Sequence, residues 1–210
     1  MAGIMNDLRA RIGTDSGIAI SLVIPTISRP TLAGTLRSLR DQPWGPQDEI
    51  ILLGDGPQPF AADLWRQFKF PGRYIEMPKT SPPDWGHTPR NAVFNDKILR
   101  GTHVVQLDDD DQWEPYTLQL IRERVKAESN RPHLFRQSGC PITGTVWKVK
   151  EIVLGNIGTP CIVFPNVPGK IGRFVSRYGG DCDFIAETCG YYPDGPVWHE
   201  EVITKIRPVK

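Results

Sequence analysis

The segment Ile18 to Ile24, IAISLVI, is almost continuously apolar and stops at Pro25. A strand with one solvated face alternates apolar and polar residues, whereas a run apolar at successive positions reads as a strand covered on both faces. Two more runs have this character: EIILL, Glu49 to Leu53, broken by Gly54-Asp55-Gly56-Pro57, and THVVQL, Thr102 to Leu107. A shorter strand is expected at Tyr74 to Met77. Helices are predicted between them. One follows Pro30, with Leu32, Leu36 and Leu39 at helical spacing, and another spans about Ala61 to Phe68. A third is N-capped by Thr88 with Pro89 at its first position and runs to about Arg100, where Gly101 stops it. A fourth opens at Pro115 and places Leu118, Ile121 and Val125 on one face. Strand and helix therefore alternate through the first half, which implies a parallel sheet with helices on both sides.

Beyond Asn130 the pattern becomes Gly- and Pro-rich. Strands are expected near Thr143 to Val153 and Cys161 to Phe164, and a short helix near Asp181. At 210 residues the chain has room for one domain with a sizeable core. Its net charge of +1 supplies no global field for nucleic acid or an anionic membrane. No apolar run approaches the roughly 20 residues that span a bilayer. Without a secretion-type apolar stretch at the N-terminus, a cytoplasmic setting is expected. Cys140, Cys161, Cys182 and Cys189 form no C-x-x-C pair, and free thiols are the simpler reading.

Ligands of open parallel sheets sit at the C-terminal strand ends. Thr26, Asp55 and Asp108 should line that crevice. Asp108-Asp109-Asp110-Asp111 emerges directly from the apolar VVQL and turns at once, through QWEP, toward a helix. Most acidic runs are solvated turns. Here four carboxylates crowd a strand end, and a bound divalent cation would offset their repulsion. Arg90 and Asn91, in GHTPRN, fall in the first turn of a helix, where backbone N–H groups favour anions. In RYGGDCDF, Asp181 reads either as a helix cap or as a general base. Lys79 can reach a phosphate. His199 reads as structural or as a further metal ligand. Trp85, Trp113 and Trp198 can stack on a sugar or base, or fill the core.

Taken in order, SLVIPTISRP, EIILLGDG, GHTPRNAVFN, VVQLDDDDQWEP, NIGTPCIVFPN and GGDCDF resemble the family-two inverting glycosyltransferases over about Ile18 to Thr188. The resemblance implies the nucleotide-diphospho-sugar transferase (GT-A) fold, an α/β fold with an open, mainly parallel sheet, helices on both faces and a smaller acceptor-side part. One domain would cover residues 1–210, with the nucleotide-sugar part over about 18–111 and the acceptor and catalytic-base part over about 112–210. It further implies that Pro25, Thr26 and Asp55 meet the nucleoside, and that Arg90, Asn91 and Asp109 lie near the donor. Asp108 would approach the ribose or metal, and Asp110, with Asp108 and at most His199, would hold Mn²⁺ or Mg²⁺. Asp181 would be the base and Asp183 its support or substitute. The expected partners are a nucleotide-diphospho-sugar and an acceptor bearing a hydroxyl.

The chain departs from the family at Gly54, where an acid usually reads the nucleobase, and at Gly180, where a glutamate usually precedes the base. A sugar-phosphate nucleotidyltransferase would use the same crevice, but it usually carries a glycine-rich basic loop after the first strand. IPTISRPT has neither glycine nor lysine. A non-catalytic sugar-nucleotide or glycan-binding module is a further reading.

Overall fold

A computed structural model describes residues 17–95, 98–140 and 144–206. The elements in chain order are β1 Ile20–Thr26, α1 Leu32–Arg40, β2 Glu49–Asp55, α2 Pro59–Phe68, β3 Gly72–Met77 and α3 His87–Asn95. These are followed by β4 His103–Gln106, β5 Gln112–Trp113, α4 Thr117–Val125, β6 His133–Cys140, β7 Gly144–Val146, β8 Ile162–Pro165, α5 Gly180–Gly190 and β9 Val197–Lys205. The strands form one sheet in the order β3-β2-β1-β4-β8-β6-β9-β5, with β7 on β6. The strands β3, β2, β1 and β4 are parallel. β8 then joins antiparallel to both β4 and β6, and β9 lies parallel to β6.

The doubly apolar strands feed two cores. Leu22, Ile24, Ile50 and Leu52 join Leu32, Leu36 and Leu39 of α1 and Leu118, Ile121 and Val125 of α4 on one face. Val23, Ile51, Leu53 and Val104 join Val93 of α3 and Phe184 and Ile185 of α5 on the other. Helices thus cover both faces, as the alternation predicts. None of the helices described is long and apolar enough to cross a membrane.

Three expectations need correction. Helix α3 begins at His87, so Thr88 lies inside it; Asp84 Oδ2 accepts from Thr88 N at 2.8 Å and from Thr88 Oγ1 at 2.6 Å, and is the cap. The described helix ends at Asn95 and not near Arg100. In place of a strand over 143–153 the structure has only the short β7, position 143 lying outside the described residues. The apolar residues beyond β7 serve a loop, in which Asn156 binds the backbone of Lys148, Val149 and Glu151. Strands β6 and β9 were not anticipated, since a pattern such as VWHEEVITK carries no clean period. Cys161, Cys182 and Cys189 are free thiols.

Candidate active site

A cavity of about 530 Å³ opens at the C-terminal ends of β1, β2 and β4, lined by Pro25, Thr26, Arg29, Asp55, Asp84, Trp85, Asp108, Asp109 and Asp110. A second cavity, of about 190 Å³, is lined by Trp85, His87, Arg90, Asp108, Thr159, Arg177, Tyr178 and Asp181. Trp85 and Asp108 line both. The acidic run and Asp181 therefore face adjoining spaces, although they are far apart in the chain.

Members of the run differ in environment. Asp109 is 4% exposed and locks the turn after β1: Thr26 Oγ1 donates to it at 2.7 Å, Ile27 N at 3.3 Å and Arg29 Nη1 at 2.9 Å. Arg29 Nη1 also reaches Asp110 Oδ2 at 3.2 Å. Burial pushes the Asp109 carboxyl above the usual carboxylate range, opposed by Thr26 and Arg29. Burial and then the neighbouring Asp108 raise Asp110 in the same direction. Negative charge in this cleft is thus only partly compensated. Asp111 is buried, and its N–H closes a turn onto Asp108 O at 3.1 Å.

The Arg90 side chain is 1% exposed and lines the smaller cavity, not the larger one. Its guanidinium donates to Trp85 O at 3.0 Å and pairs with Asp108, and it lies 5.5 Å from the Phe174 ring centroid. Asn91 brackets the Phe174 backbone, donating to Phe174 O at 2.9 Å and accepting from Phe174 N at 2.9 Å. Arg90 thus holds Asp108 at the edge of the smaller cavity, and Asn91 holds the Phe174 backbone.

Asp55 is occupied as well. Lys79 Nζ donates to Oδ2 at 3.1 Å and Thr80 N to Oδ1 at 2.6 Å, tying the loop between β3 and α3 to the end of β2. Burial raises the Asp55 carboxyl, but these two partners outweigh it and hold the group below its ordinary range. Beside it, the Tyr74 hydroxyl fills the space over Gly54. A Cβ added at Gly54 would lie 2.5 Å from Tyr74 Oη, so an acid there would displace the ring.

Asp181 sits in the first turn of α5, where Oδ1 accepts from Cys182 N at 2.8 Å. Burial raises its carboxyl, the Cys182 N–H opposes this, and Asp108 adds to the rise. Asp183 instead makes a two-pronged pair with Arg177, at 2.8 and 2.7 Å, which holds its carboxyl below the usual range. At Gly180 no side chain fits: a Cβ would lie 2.1 Å from Val175 O and 2.8 Å from His87 Cε1.

His199 faces His133, with Nε2 and Nδ1 2.8 Å apart, and stacks on Phe135 at 4.5 Å. Its charged neighbours are Glu201, Arg124 and Glu128, not the acidic run. Trp113 stacks on Trp44 in the core and Trp198 packs edge-on against Trp147, while Trp85 is 61% exposed at the junction of the two cavities. Among the described residues no group of three or more His, Cys, Asp or Glu is arranged to hold a metal. Arg29, Asp84 and His87 are site residues that sequence reasoning missed. Arg29 lies within the quoted SLVIPTISRP, but only the folded turn shows that it reaches the aspartates.

A model of the family described as "Glycosyl transferase family 2" matches residues 21–135. Among curated proteins no match is found. The S. aureus TarS 1-349 structure is similar at 18% identity and a TM-score of 0.71, over 90% of this chain and 60% of that one. The same protein in complex with UDP-GlcNAc gives 16% identity and a TM-score of 0.73, over 92% and 59%. The mannosyltransferase PcManGT from Pyrobaculum calidifontis, in complex with GDP-Man and Mn²⁺, gives 14% identity and a TM-score of 0.58, over 89% and 56%. The chain thus spans about 60% of the length of the TarS 1-349 structures it resembles, and 37% of a longer TarS structure. Together these likenesses establish a GT-A-type fold.

Proposed function

The chain belongs to glycosyl transferase family 2, and from that membership we propose that it moves a sugar from a nucleotide-diphospho-sugar to an acceptor hydroxyl, with inversion and with a divalent cation. The observation that carries this reading is the shared wall of the two cavities, where Trp85 and Asp108 separate the space of the acidic run from the space of Asp181. A donor in the larger space and a hydroxyl in the smaller one would meet there.

The larger space suits a nucleoside diphosphate. Thr26, Pro25 and Asp55 line it with Arg29, and Arg29 would set a cation beside the diphosphate. Asp108 and Asp110 would hold Mn²⁺ or Mg²⁺. Such ions commonly take only one or two protein carboxylates and complete their shell with substrate phosphates and water. The raised carboxyl of Asp110, crowded by Asp108 and Asp109, fits a site that gains from added positive charge. When bound, the cation would neutralise charge on the departing diphosphate. Arg90 would hold Asp108 in register, and Asp109 would fix the turn that carries Arg29.

Asp181 is the base in this reading. Burial raises its carboxyl, which makes it a better proton acceptor than an ordinary aspartate. It would take the proton from the acceptor hydroxyl as oxygen attacks the anomeric carbon opposite the leaving diphosphate. Asp183, neutralised by Arg177, would steady the approach to α5 and not accept the proton.

The test is a thermal-shift screen of nucleotide sugars with and without Mn²⁺, followed by nucleotide-release assays. Ligand at about 100 times its dissociation constant stabilises the folded state by about 2.7 kcal/mol. A cation-dependent rise with at least one nucleotide sugar is expected. No shift with any of them would overturn the reading.

A further inference from the structure

We propose that the smaller cavity takes a cyclic sugar as the acceptor, laid face-on against Tyr178 and Trp85, and that Tyr178 is the residue that selects it. The inference deepens the functional reading above and rests on it for placing the acceptor hydroxyl beside Asp181. Where the exposed rings lie carries the proposal. Among the described residues Tyr178, at 78%, and Trp85, at 61%, are the two most exposed large hydrophobic side chains, and both line the cavity of about 190 Å³ that holds Asp181. Single exposed apolar side chains are ordinary on protein surfaces. Two rings at the mouth of one small cleft are not a scatter.

Both rings stand on fixed backbone. Arg177, next to Tyr178, is held by its two-pronged pair with Asp183; its N–H reaches Val175 O at 2.7 Å, and Gly180 N closes onto Arg177 O at 3.0 Å. On the other side Gly179, at a φ of +83°, lies on Leu154, which a Cβ there would meet at 2.7 Å. The Tyr178 side chain itself makes no hydrogen bond, ion pair or ring contact among the described residues. Trp85 has a φ of 58°, a left-handed backbone that a bulky residue adopts only under constraint. Its carbonyl accepts from Arg90 Nη1 at 3.0 Å. Strain that keeps an indole in solvent gains the fold no packing, and such strain gathers at ligand clamps.

The walls are polar where the rim is aromatic: Asp108, Thr159, Arg177 and Asp181 line the same space. A ligand that matches both is apolar on its faces and polar around its edge. A pyranose has that form. Its hydroxyls point outward, while the C–H bonds on its flat faces, slightly positive, sit well on the negative face of an aromatic ring. An acyl chain would leave the polar walls unpaired. An open-chain polyol has no flat face to lay on the rings. The hydroxyl nearest Asp181 would pass its proton to that carboxylate as its oxygen bonds the anomeric carbon, and the bond from that carbon to the diphosphate oxygen breaks.

The test uses the full chain with UDP and Mn²⁺, the methyl glycosides of glucose, galactose, mannose and N-acetylglucosamine, and sorbitol as the open-chain control. Saturation-transfer NMR reads which of them lays its C–H protons against aromatic protons. At least one methyl glycoside should show the transfer, and sorbitol should not. Tyr178→Ala should weaken that glycoside's binding by about 5–10-fold, whereas Tyr178→Phe, which keeps the ring face, should stay within about twofold. Unfolding midpoints of both variants should match the original, since the ring packs on nothing that its loss would expose. In nucleotide-release assays Tyr178→Ala should raise acceptor KM by the same factor and hold donor KM within about twofold. No transfer to any of the glycosides, equal transfer to sorbitol, or a Tyr178→Ala chain that binds as the original does would each overturn the proposal. A glycoside held against Tyr178 by a chain that releases no nucleotide from any donor leaves the sugar site standing and sinks the enzymatic reading. Turnover onto sorbitol alone does the reverse.

Discussion

Arg90 and Asp108 form an ion pair with a buried cation and an open anion: the arginine side chain is 1% exposed and the aspartate side chain 38%. The cation is spent on holding the carboxylate and the Trp85 carbonyl, while the carboxylate still faces both cavities. Removing the arginine leaves a cavity and a carboxylate that water still reaches, so the cost comes mainly from the lost buried side chain, typically about 2–5 kcal/mol. Arg90→Ala should lower the unfolding free energy by about 2 kcal/mol and shrink the midpoint shift produced by a nucleotide sugar with Mn²⁺. Denaturant titration and thermal shift check both. Arg90→Lys should fail to restore the shift, because an ammonium lacks the planar fork that spans Trp85 and Asp108.

Asp181→Asn should abolish turnover by on the order of 10²–10⁴-fold and leave donor binding intact, whereas Asp183→Asn should cost far less. The pH behaviour follows from the raised carboxyl of Asp181. A base acts deprotonated, so kcat/KM should rise with pH along a limb lying above the ordinary value of 3.8. Stability runs the opposite way. A folded pKa above the unfolded one contributes stability that is fully present below the unfolded value and is lost as pH rises through the folded value. Asp181→Asn should therefore be more stable than the original chain at pH 7, and that gain should vanish in acid. Paired unfolding curves at the two pH values test this.

Asp110→Asn should weaken the response to Mn²⁺. Loss of an outer-shell partner alone commonly costs about 10–100-fold in affinity or activity, and loss of a ligating carboxylate should cost at least as much. Nucleotide release should then need a correspondingly higher Mn²⁺ concentration, and a chelator should silence the original chain. Activity that survives chelation would remove the cation from the reaction. A His199→Ala variant should keep its Mn²⁺ dependence, since that ring is committed to His133 and Phe135.

Away from the cleft, Asp48 is a carboxylate costly to lose. It is buried, accepts from Ile20 N at 2.8 Å and from Gly45 N at 2.5 Å, and pairs with Arg122 of α4. Asp48→Ala strands two backbone donors and a largely buried guanidinium. A loss of about 3 kcal/mol is expected, read as a lower denaturant midpoint at unchanged slope.

Restoring an acid next to Asp55 meets Tyr74. Gly54→Asp alone should destabilise the chain by about 1–3 kcal/mol through overpacking, and Tyr74→Ala in the same chain should relieve most of that. If the double variant also changes which nucleotide raises the melting point, this corner of the cleft reads the base.

Much of this protein was legible in its sequence, because some of its features are local. The runs IAISLVI and EIILL are apolar at successive positions, and only a sheet covered on both faces buries them. Leu32, Leu36 and Leu39 state a helix face by spacing alone. The aspartates emerge at a strand end because an apolar strand immediately precedes them. Strands β6 and β9 were not legible, since each has neighbours on both edges whose side chains, and not a repeating period, decide its burial. Nor was the fate of the site residues. That Arg90 pairs with Asp108 and that Lys79 and Thr80 occupy Asp55 are set by contacts between positions 18 to 25 apart, and that Arg177 takes Asp183 while Asp181 keeps the cavity by how the turn before α5 folds. Hydrogen bonds and burial act through space between segments that the sequence separates. Residue type and order therefore determined which carboxylates reach the cleft, and tertiary packing alone decided which of them remain available for chemistry.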